Sequence, residues 1–566
     1  MKNILNTIKT SQILLLFLLP AFYLFTGAYF RTLLGDLSLR SVDPDYVYFS
    51  NGLGVSIGSF NTGNIFHPGS PLQYFVAIVF RLVYLLRSPA VPYLEDVFAN
   101  PDLYMSVVSL CITGLISLLL LAAGYLVQRT TKSTLYGLLV QTSVFVPIIW
   151  YDLNGRVTQE VFQAFSALAL MVVVIYYYRN NKPANTTASM LLFAFIMAFG
   201  LSTKVTFVPL MLIPLFIIEN WKKKVLFSAL TILIFLAISI SVLFQIGVFW
   251  DWMKNIFLHS GDYGAGSTDV IDFNLFKTNL TDFVRLESWY FKIIFVSFLS
   301  LLLYLGIYRK KADRRLVLYS SSVILAILVQ LIIVSKHFAH RNFVPSLLLL
   351  PLVVFFTLEI LKKLSANKIY TLSLQLVLAA FLLMTVRNQF LWLPIKSDAM
   401  ESDIRARKET QRYTAVFDPN SIKIITSQSY GCPFKEYALM YSTAWSANKL
   451  KPKYAEVLGK LYPFTYQHTT WDDRFQYWGE KFDAQKIIDS GKSVYLYIER
   501  NDEELYNRTL TRIQKESESG FTAERVLIFS NPANSETLYQ LKLTKVEKTD
   551  SIKGSAKKTV PVSIAN

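Results

Sequence analysis

Long apolar runs alternate with short polar stretches along most of the chain. Crossing a bilayer takes about 20 residues of helix, and the runs near that length predict about eleven membrane helices. They cover residues 13–30, 104–127, 135–151, 161–178, 188–201, 207–218, 225–250, 290–308, 316–334, 343–361 and 369–386. The fifth and sixth are short and joined by STKVT, so their ends are expected inside the membrane envelope, covered by protein or facing a wet cavity. A further apolar run, 72–86, is short and carries Arg81. It is expected to lie at the interface or re-enter within the first long polar loop. From about residue 388 the apolar runs shrink to strand length (IKIIT, SVYLYIE, ERVLIFS, TLYQLKL), with the helical stretches FKEYALMYSTAW and DAQKIIDS between them. The expected fold class is a polytopic α-helical membrane protein with interfacial helices in the first outer loop and a C-terminal extracytoplasmic α/β domain. The expected division is a transmembrane module over 1–387, the α/β domain over 388–546 and a Lys/Ser/Thr-rich disordered tail over 547–566.

Composition agrees with this pattern. The 566 residues are 53% hydrophobic and only 17% charged, with a mean hydropathy of +0.38, which excludes an ordinary soluble protein. A net charge of +17 raises nucleic-acid binding, but the cations sit in short clusters between apolar runs. Alternate loops carry Arg129 and Lys132; Arg179 and Lys182; Lys222, Lys223 and Lys224; Arg309, Lys310, Lys311, Arg314 and Arg315; Lys362, Lys363 and Lys368. Lys2 and Lys9 belong to the same side, so this side and the N-terminus are expected in the cytoplasm, and no nucleic-acid partner is expected. The first apolar run lacks a small-residue cleavage site and is expected to stay as an uncleaved helix. Two cysteines give no disulfide framework.

The suggestive polar residues then fall on one face, the outer one. Asp43 and Asp45 lie in the first loop, His67 in its HPGSP run, Arg156 and Glu160 in YDLNGRVTQE, and Lys204 in STKVT. His259 and Asp262 lie in HSGDYGAGS, and Lys336, His337, His340 and Arg341 in KHFAHR. A carboxylate among cations suits transfer of a sugar from a polyprenyl phosphate: the carboxylate takes the proton of an attacking hydroxyl, and cations stabilise the departing phosphate. An Asp-X-Asp pair also offers hard oxygen ligands to a divalent cation. Plainer readings stand beside these. The aspartates can cap the next helix. HPGSP can simply shape a turn, and Arg156 and Glu160, four apart, can pair on a helix surface. HSGDYGAGS lacks the ending of a phosphate-binding loop and reads as a mobile outer loop, with a lid as one role for it. Most of the 32 Tyr and 42 Phe are expected to face lipid or the interface rather than sugar.

Asp43-Pro-Asp45-Tyr46 after the first helix, HPGSP, STKVTFVPL and AHRNFVPSLLLLP together resemble the GT-C superfamily of integral-membrane glycosyltransferases, over roughly the first 387 residues. The layout is similar to the aminoarabinose and protein O-mannosyl transferase branch. Asn342 stands where many relatives carry Tyr after the basic residue. The resemblance implies Asp43 or Asp45 as general base, with Asp43 favoured because Pro44 restrains it. It implies Lys204, His340, Arg341 and Arg156 at the lipid phosphate, and Glu160 and His67 ordering the loop or touching sugar. The implied activity is inverting transfer from a polyprenyl-phosphate sugar to a glycan, lipid or protein acceptor at the outer face of a bacterial plasma membrane. Two rivals are an oligosaccharide ligase or polymerase, and a non-enzymatic glycan or lipid transporter, which would show polar residues reaching both faces and often internal repeats.

Overall fold

A computed structural model describes residues 10–545 apart from 261–263, 265, 267–270, 337–338, 366, 415–416, 418–419, 429–430, 471 and 518–520. Asp262, His337 and the expected tail lie outside the described residues. The chain forms two compact units: one comprises Met1–Lys408 and Tyr430–Leu461, the other Glu409–Ser429 and Tyr462–Asn566.

The first unit is helical. Its main helices are α1 (Thr10–Leu34), α2 (Asp45–Ser56), α3 (Ser70–Arg87), α4 (Pro101–Thr131), α5 (Gln159–Arg179), α6 (Thr187–Thr203), α7 (Trp221–Ile238), α8 (Ile246–Leu258), α9 (Phe273–Leu286), α10 (Ser288–Tyr308), α11 (Arg314–Lys336), α12 (Leu350–Leu364) and α13 (Lys368–Thr414). Two more, α14 (Lys435–Ala444) and α15 (Lys451–Leu461), come from the far end of the chain. Eight helices among the described residues are long and apolar enough to cross a bilayer, and they make this a multi-pass membrane protein. One of the eight is α3, the segment expected at the interface. Three shorter apolar helices, Thr134–Phe145, Thr187–Thr203 and Val205–Ile217, cover expected crossings that fall below that length.

Several expected single helices are broken, each for a local reason. The 135–151 run gives a helix over Thr134–Gln141, a 3-10 turn over Thr142–Phe145 and a short helix over Trp150–Leu153. Pro147 has no N–H to continue the ladder. Gln141 lies over Gly124 and donates to the carbonyls of Leu16 (2.9 Å) and Leu120 (3.1 Å). The 225–250 run breaks at Ser239, where Tyr74 donates to the freed carbonyl of Ile238 (2.7 Å). It turns again at Gln245, whose amide donates to Asn61 Oδ1 (2.7 Å) and the Thr62 carbonyl (2.6 Å). The 343–361 run enters through a 3-10 turn, His340–Phe343, and the sixth through another, Val205–Met211. Gln330 of α11 serves both, donating to the carbonyls of Thr206 (3.1 Å) and Asn342 (3.0 Å). Irregular backbone at such depth persists only where protein groups satisfy it in this way.

The expected division at 387/388 falls inside the 47-residue α13. The second unit carries a six-stranded sheet, β1 (Ile422–Thr426), β2 (Thr465–Thr469), β3 (Arg474–Tyr477), β4 (Val494–Ile498), β5 (Phe521–Ser530) and β6 (Thr537–Lys545), in the order β3-β2-β1-β4-β6-β5. β1 pairs parallel with β2 and β4, and the remaining pairings are antiparallel. Ile422, Ile424, Leu496, Ile498 and Leu541 alternate inward, and helix Glu503–Lys515 adds Ile513 to their core. DAQKIIDS gives a helix of this unit, whereas FKEYALMYSTAW, which links β1 to β2, forms α14 of the first unit.

Candidate active site

Asp45 opens α2 and is fully buried. Its Oδ2 accepts from Arg156 Nε (2.9 Å) and from Arg156 Nη2, and its Oδ1 accepts from the backbone N–H of Val157 (2.7 Å). Arg156 Nη2 also donates to the carbonyl of Asp43 (2.6 Å). The turn that carries Arg156 is itself tied down. Gly155, at φ +77°, packs against the backbone of Phe30 and Arg31, and its carbonyl accepts from Ser109 Oγ (2.7 Å) and Arg31 Nη1 (3.4 Å). Arg156 precedes α5 rather than lying on it, so the expected helix-surface pair with Glu160 does not form.

Glu160 meets Lys204 instead. The Lys204 Nζ to Glu160 Oε1 distance is 2.5 Å, and both side chains are 1% exposed. Lys204 sits in extended backbone between α6 and the following 3-10 turn, where Gly200 leaves room for Phe207. An ammonium buried that deeply is tolerable only with a carboxylate against it.

Asp43 points the other way. Its Oδ2 lies 3.5 Å from Arg341 Nη1, and the two side chains remain 23% and 35% exposed. The Asp43–Pro44 peptide bond is cis. Both residues line a cavity of about 430 Å³ together with Pro44, Val47, Tyr48, Asn64, Phe66, His67, Gln159, Trp252, Tyr441 and Trp445. Tyr48 donates to Gln159 Oε1 (2.5 Å), fixing the amide at the wall. His67 is partly buried, its ring nitrogens are shielded from solvent, and its ring stands edge-on to Trp252 at 5.2 Å. Burial pushes its pKa well below the usual imidazole range, and the charges of Lys204 and Arg341 act in the same direction against the opposing Glu160. The imidazole is therefore neutral near pH 7.

His67 also lines a second, almost wholly apolar groove of about 150 Å³. Val205, Val208, Pro209, Met253, Ile256, Phe257, Ile333 and Val334 form most of its wall. Lys336, at its edge, donates to the carbonyls of Ile256 (2.9 Å) and Phe257 (2.7 Å), closing the C-terminal end of α8.

Of the expected site residues, the structure brings Asp43, His67 and Arg341 to one cavity. It places Asp45, Arg156, Glu160 and Lys204 in two buried ion pairs beside it. His340 is turned away: its Nε2 lies 2.8 Å from Glu287 Oε1, and its ring packs edge-on against Phe283. Gln159, Tyr48, Asn64 and Trp252 carry no local signal that marks them as cavity wall. Tyr441 and Trp445 are hidden more deeply, because they arrive from a segment that reads as part of the α/β domain.

The two aspartates do not fit a divalent cation. Asp45 spends both oxygens on Arg156 and Val157, and Asp43 faces a second guanidinium, so a metal between them would meet two positive charges. Among the described residues no group of three His, Cys, Asp or Glu side chains is placed to hold a metal ion.

No family model matches the chain, and no curated protein matches it. Among solved structures it is similar to the crystal structure of ArnT from Cupriavidus metallidurans bound to undecaprenyl phosphate, at 10% identity and a TM-score of 0.47 over 94% of this chain and 98% of that one. The apo state of the same protein gives 10% identity and a TM-score of 0.42 over 91% and 97%.

Proposed function

We propose that this chain is an inverting glycosyltransferase that moves a sugar from a polyprenyl-phosphate donor to an acceptor hydroxyl at the outer face of the membrane. One observation carries the reading. A cavity holding a carboxylate and a guanidinium meets an almost wholly apolar groove at His67. Such a pair of compartments suits an amphiphile with an anionic head and a hydrocarbon tail. Asp43 takes the proton of the attacking hydroxyl, whose oxygen bonds to the anomeric carbon as the bond to the phosphate oxygen breaks. The electron pair of that bond leaves with the phosphate, and Arg341 stabilises its charge. A phosphate already leaves as an anion near neutral pH, so no general acid is required. Asp45, Arg156, Glu160 and Lys204 act by positioning the backbone on which Asp43 and the cavity wall sit.

The test uses purified full-length protein in nanodiscs with radiolabelled polyprenyl-phosphate sugars and a membrane extract as acceptor. Wild type should transfer label, with or without EDTA, and Asp43→Asn and Arg341→Gln should not. Transfer surviving Asp43→Asn would remove the proposed base and favour the ligase rival. Absence of transfer with every donor, alongside passage of a labelled lipid between leaflets, would favour a transporter.

A further inference from the structure

We infer that Tyr441 and Trp445 form the aromatic face on which a pyranose ring rests in the cavity beside Asp43. This rests on the transferase reading and gives it a carbohydrate-binding surface. The two residues are four apart at the end of α14, so they share one helix face. Their ring centroids are 6.4 Å apart, with the planes tilted by 52°. Both line the cavity that holds Asp43 and Arg341.

The main chain that carries them is fixed, while the indole is not covered. Asn51 Nδ2 donates to the carbonyl of Trp445 (3.1 Å), and Asn51 Oδ1 accepts from the N–H of Gly63 (2.8 Å). Ser50 Oγ donates to the carbonyl of Ser442 (2.8 Å), and Ser442 Oγ donates to that of Tyr46 (2.7 Å). Gly63 lies so close to the Trp445 carbonyl that a β-carbon there would collide with it. Three of these bonds tie α14 and its end to α2, the helix that begins at Asp45, and the fourth holds the Asn51 amide in place. Trp445 nevertheless leaves 37% of its surface exposed.

A pyranose presents a flat patch of C–H groups on its ring faces and hydroxyls around its rim. It is held by an aromatic face together with planar polar groups at the edge, a combination typical of sites that orient a ligand by a few polar contacts on an apolar wall. Asn64, Gln159 and Asp43 supply those groups in this cavity. The ring belongs either to the donor or to the acceptor, and the kinetic arms below separate the two sources.

The experiment compares wild type with Trp445→Phe and Trp445→Leu in nanodiscs. Both variants keep the main-chain anchors. Saturation-transfer NMR with a panel of methyl pyranosides reads ring contact without turnover, and a labelled pentapeptide serves as control. Wild type and Trp445→Phe should contact a pyranoside, and Trp445→Leu should lose about tenfold in affinity, the scale of one stacked ring. In the transfer assay Trp445→Leu should raise KM for the acceptor if the ring is the acceptor's, or for the sugar-lipid if it is the donor's, with binding of undecaprenyl phosphate itself unchanged. Unaltered KM values and unaltered pyranoside contact in Trp445→Leu would overturn the inference while leaving the transferase reading intact. Pyranoside contact that depends on Trp445, in a protein that transfers from no donor, would sustain the inference and sink the transferase reading. Preferential contact with the peptide would overturn the sugar face.

Discussion

Asp43 and Asp45 are two residues apart, and the structure predicts opposite consequences for the same chemical change. Asp45 is fully buried, and its partner Arg156 is 14% exposed. Asp45→Asn leaves a guanidinium in protein without its counter-charge, and breaking a buried pair from one side costs about 3–5 kcal/mol. Asp43 and Arg341 are both partly exposed and 3.5 Å apart, so the same change at Asp43 costs about 0–1 kcal/mol. The expected difference in stability is thus about 2–5 kcal/mol. Activity should rank the other way. Asp43→Asn should lower transfer by about 10²–10⁴-fold, the usual contribution of a general base. Asp45→Asn should lower it through misplacement of Asp43, whose carbonyl Arg156 also holds. Unfolding in mixed SDS micelles measures the first quantity and initial transfer rates the second. The double variant Asp45→Asn/Arg156→Gln removes both charges and should regain most of the lost stability. The reasoning fails if Asp45→Asn abolishes transfer with an unchanged unfolding midpoint, because Asp45 would then touch the reacting atoms.

Three further outcomes follow from the same geometry. Glu160→Gln should destabilise by about 3–5 kcal/mol, and Glu160→Gln/Lys204→Gln should recover most of that; a folded Lys204→Gln that loses undecaprenyl-phosphate binding would instead place Lys204 at the ligand. The pKa of His67 is lowered on folding, so between that value and the unfolded value near 6.5 the unfolded chain binds the extra proton. Its contribution is complete above about pH 6.5 and is lost as the pH falls below it. His67→Asn should therefore flatten the fall in stability on acidification relative to wild type, and parallel curves would refute this. Gly69 caps α3 at φ +61°, and a β-carbon there would lie 2.5 Å from the Tyr48 hydroxyl. Gly69→Ala should cost about 1–2 kcal/mol from the backbone alone and more from Tyr48, read as a lowered unfolding midpoint.

The crossings that were legible in the sequence are those whose apolar run reaches full length without a breaker, such as α1, α4, α5 and α11. The broken ones were not, because their partners lie far away. Nothing near residue 239 announces that Tyr74 will accommodate a free carbonyl there, and nothing near Thr206 or Asn342 points to Gln330. The site was legible in part for the same reason. Residue type marked Asp43, His67 and Arg341, and they share a cavity. Type alone could not say that Asp45 would be consumed by Arg156, Glu160 by Lys204 or His340 by Glu287, since tertiary packing chooses the counter-ion. Trp445 had no signal at all: its segment looks like the sheet domain it interrupts, and only its hydrogen bonds to Asn51 and its neighbours reveal where it belongs.

The charge arrangement itself argues for a division of labour. Two carboxylate–cation pairs are buried and short, and each cancels its own charge, so neither attracts an anion from the cavity with much force. Burial also makes exchange costly, because either member freed of its partner would be an uncompensated ion in low dielectric. The Asp43–Arg341 pair is longer and partly exposed, so its partners separate at little cost. In the proposed reaction the donor phosphodiester would bring one negative charge to Arg341, and that charge would grow toward two on the departing phosphate as its bond to the sugar breaks. As the guanidinium turned to the phosphate, the Asp43 carboxylate would be left open to accept a hydrogen bond from an incoming hydroxyl. Donor binding would then free the base only when the leaving group is in place, which a rigid, buried pair in the same position could not do.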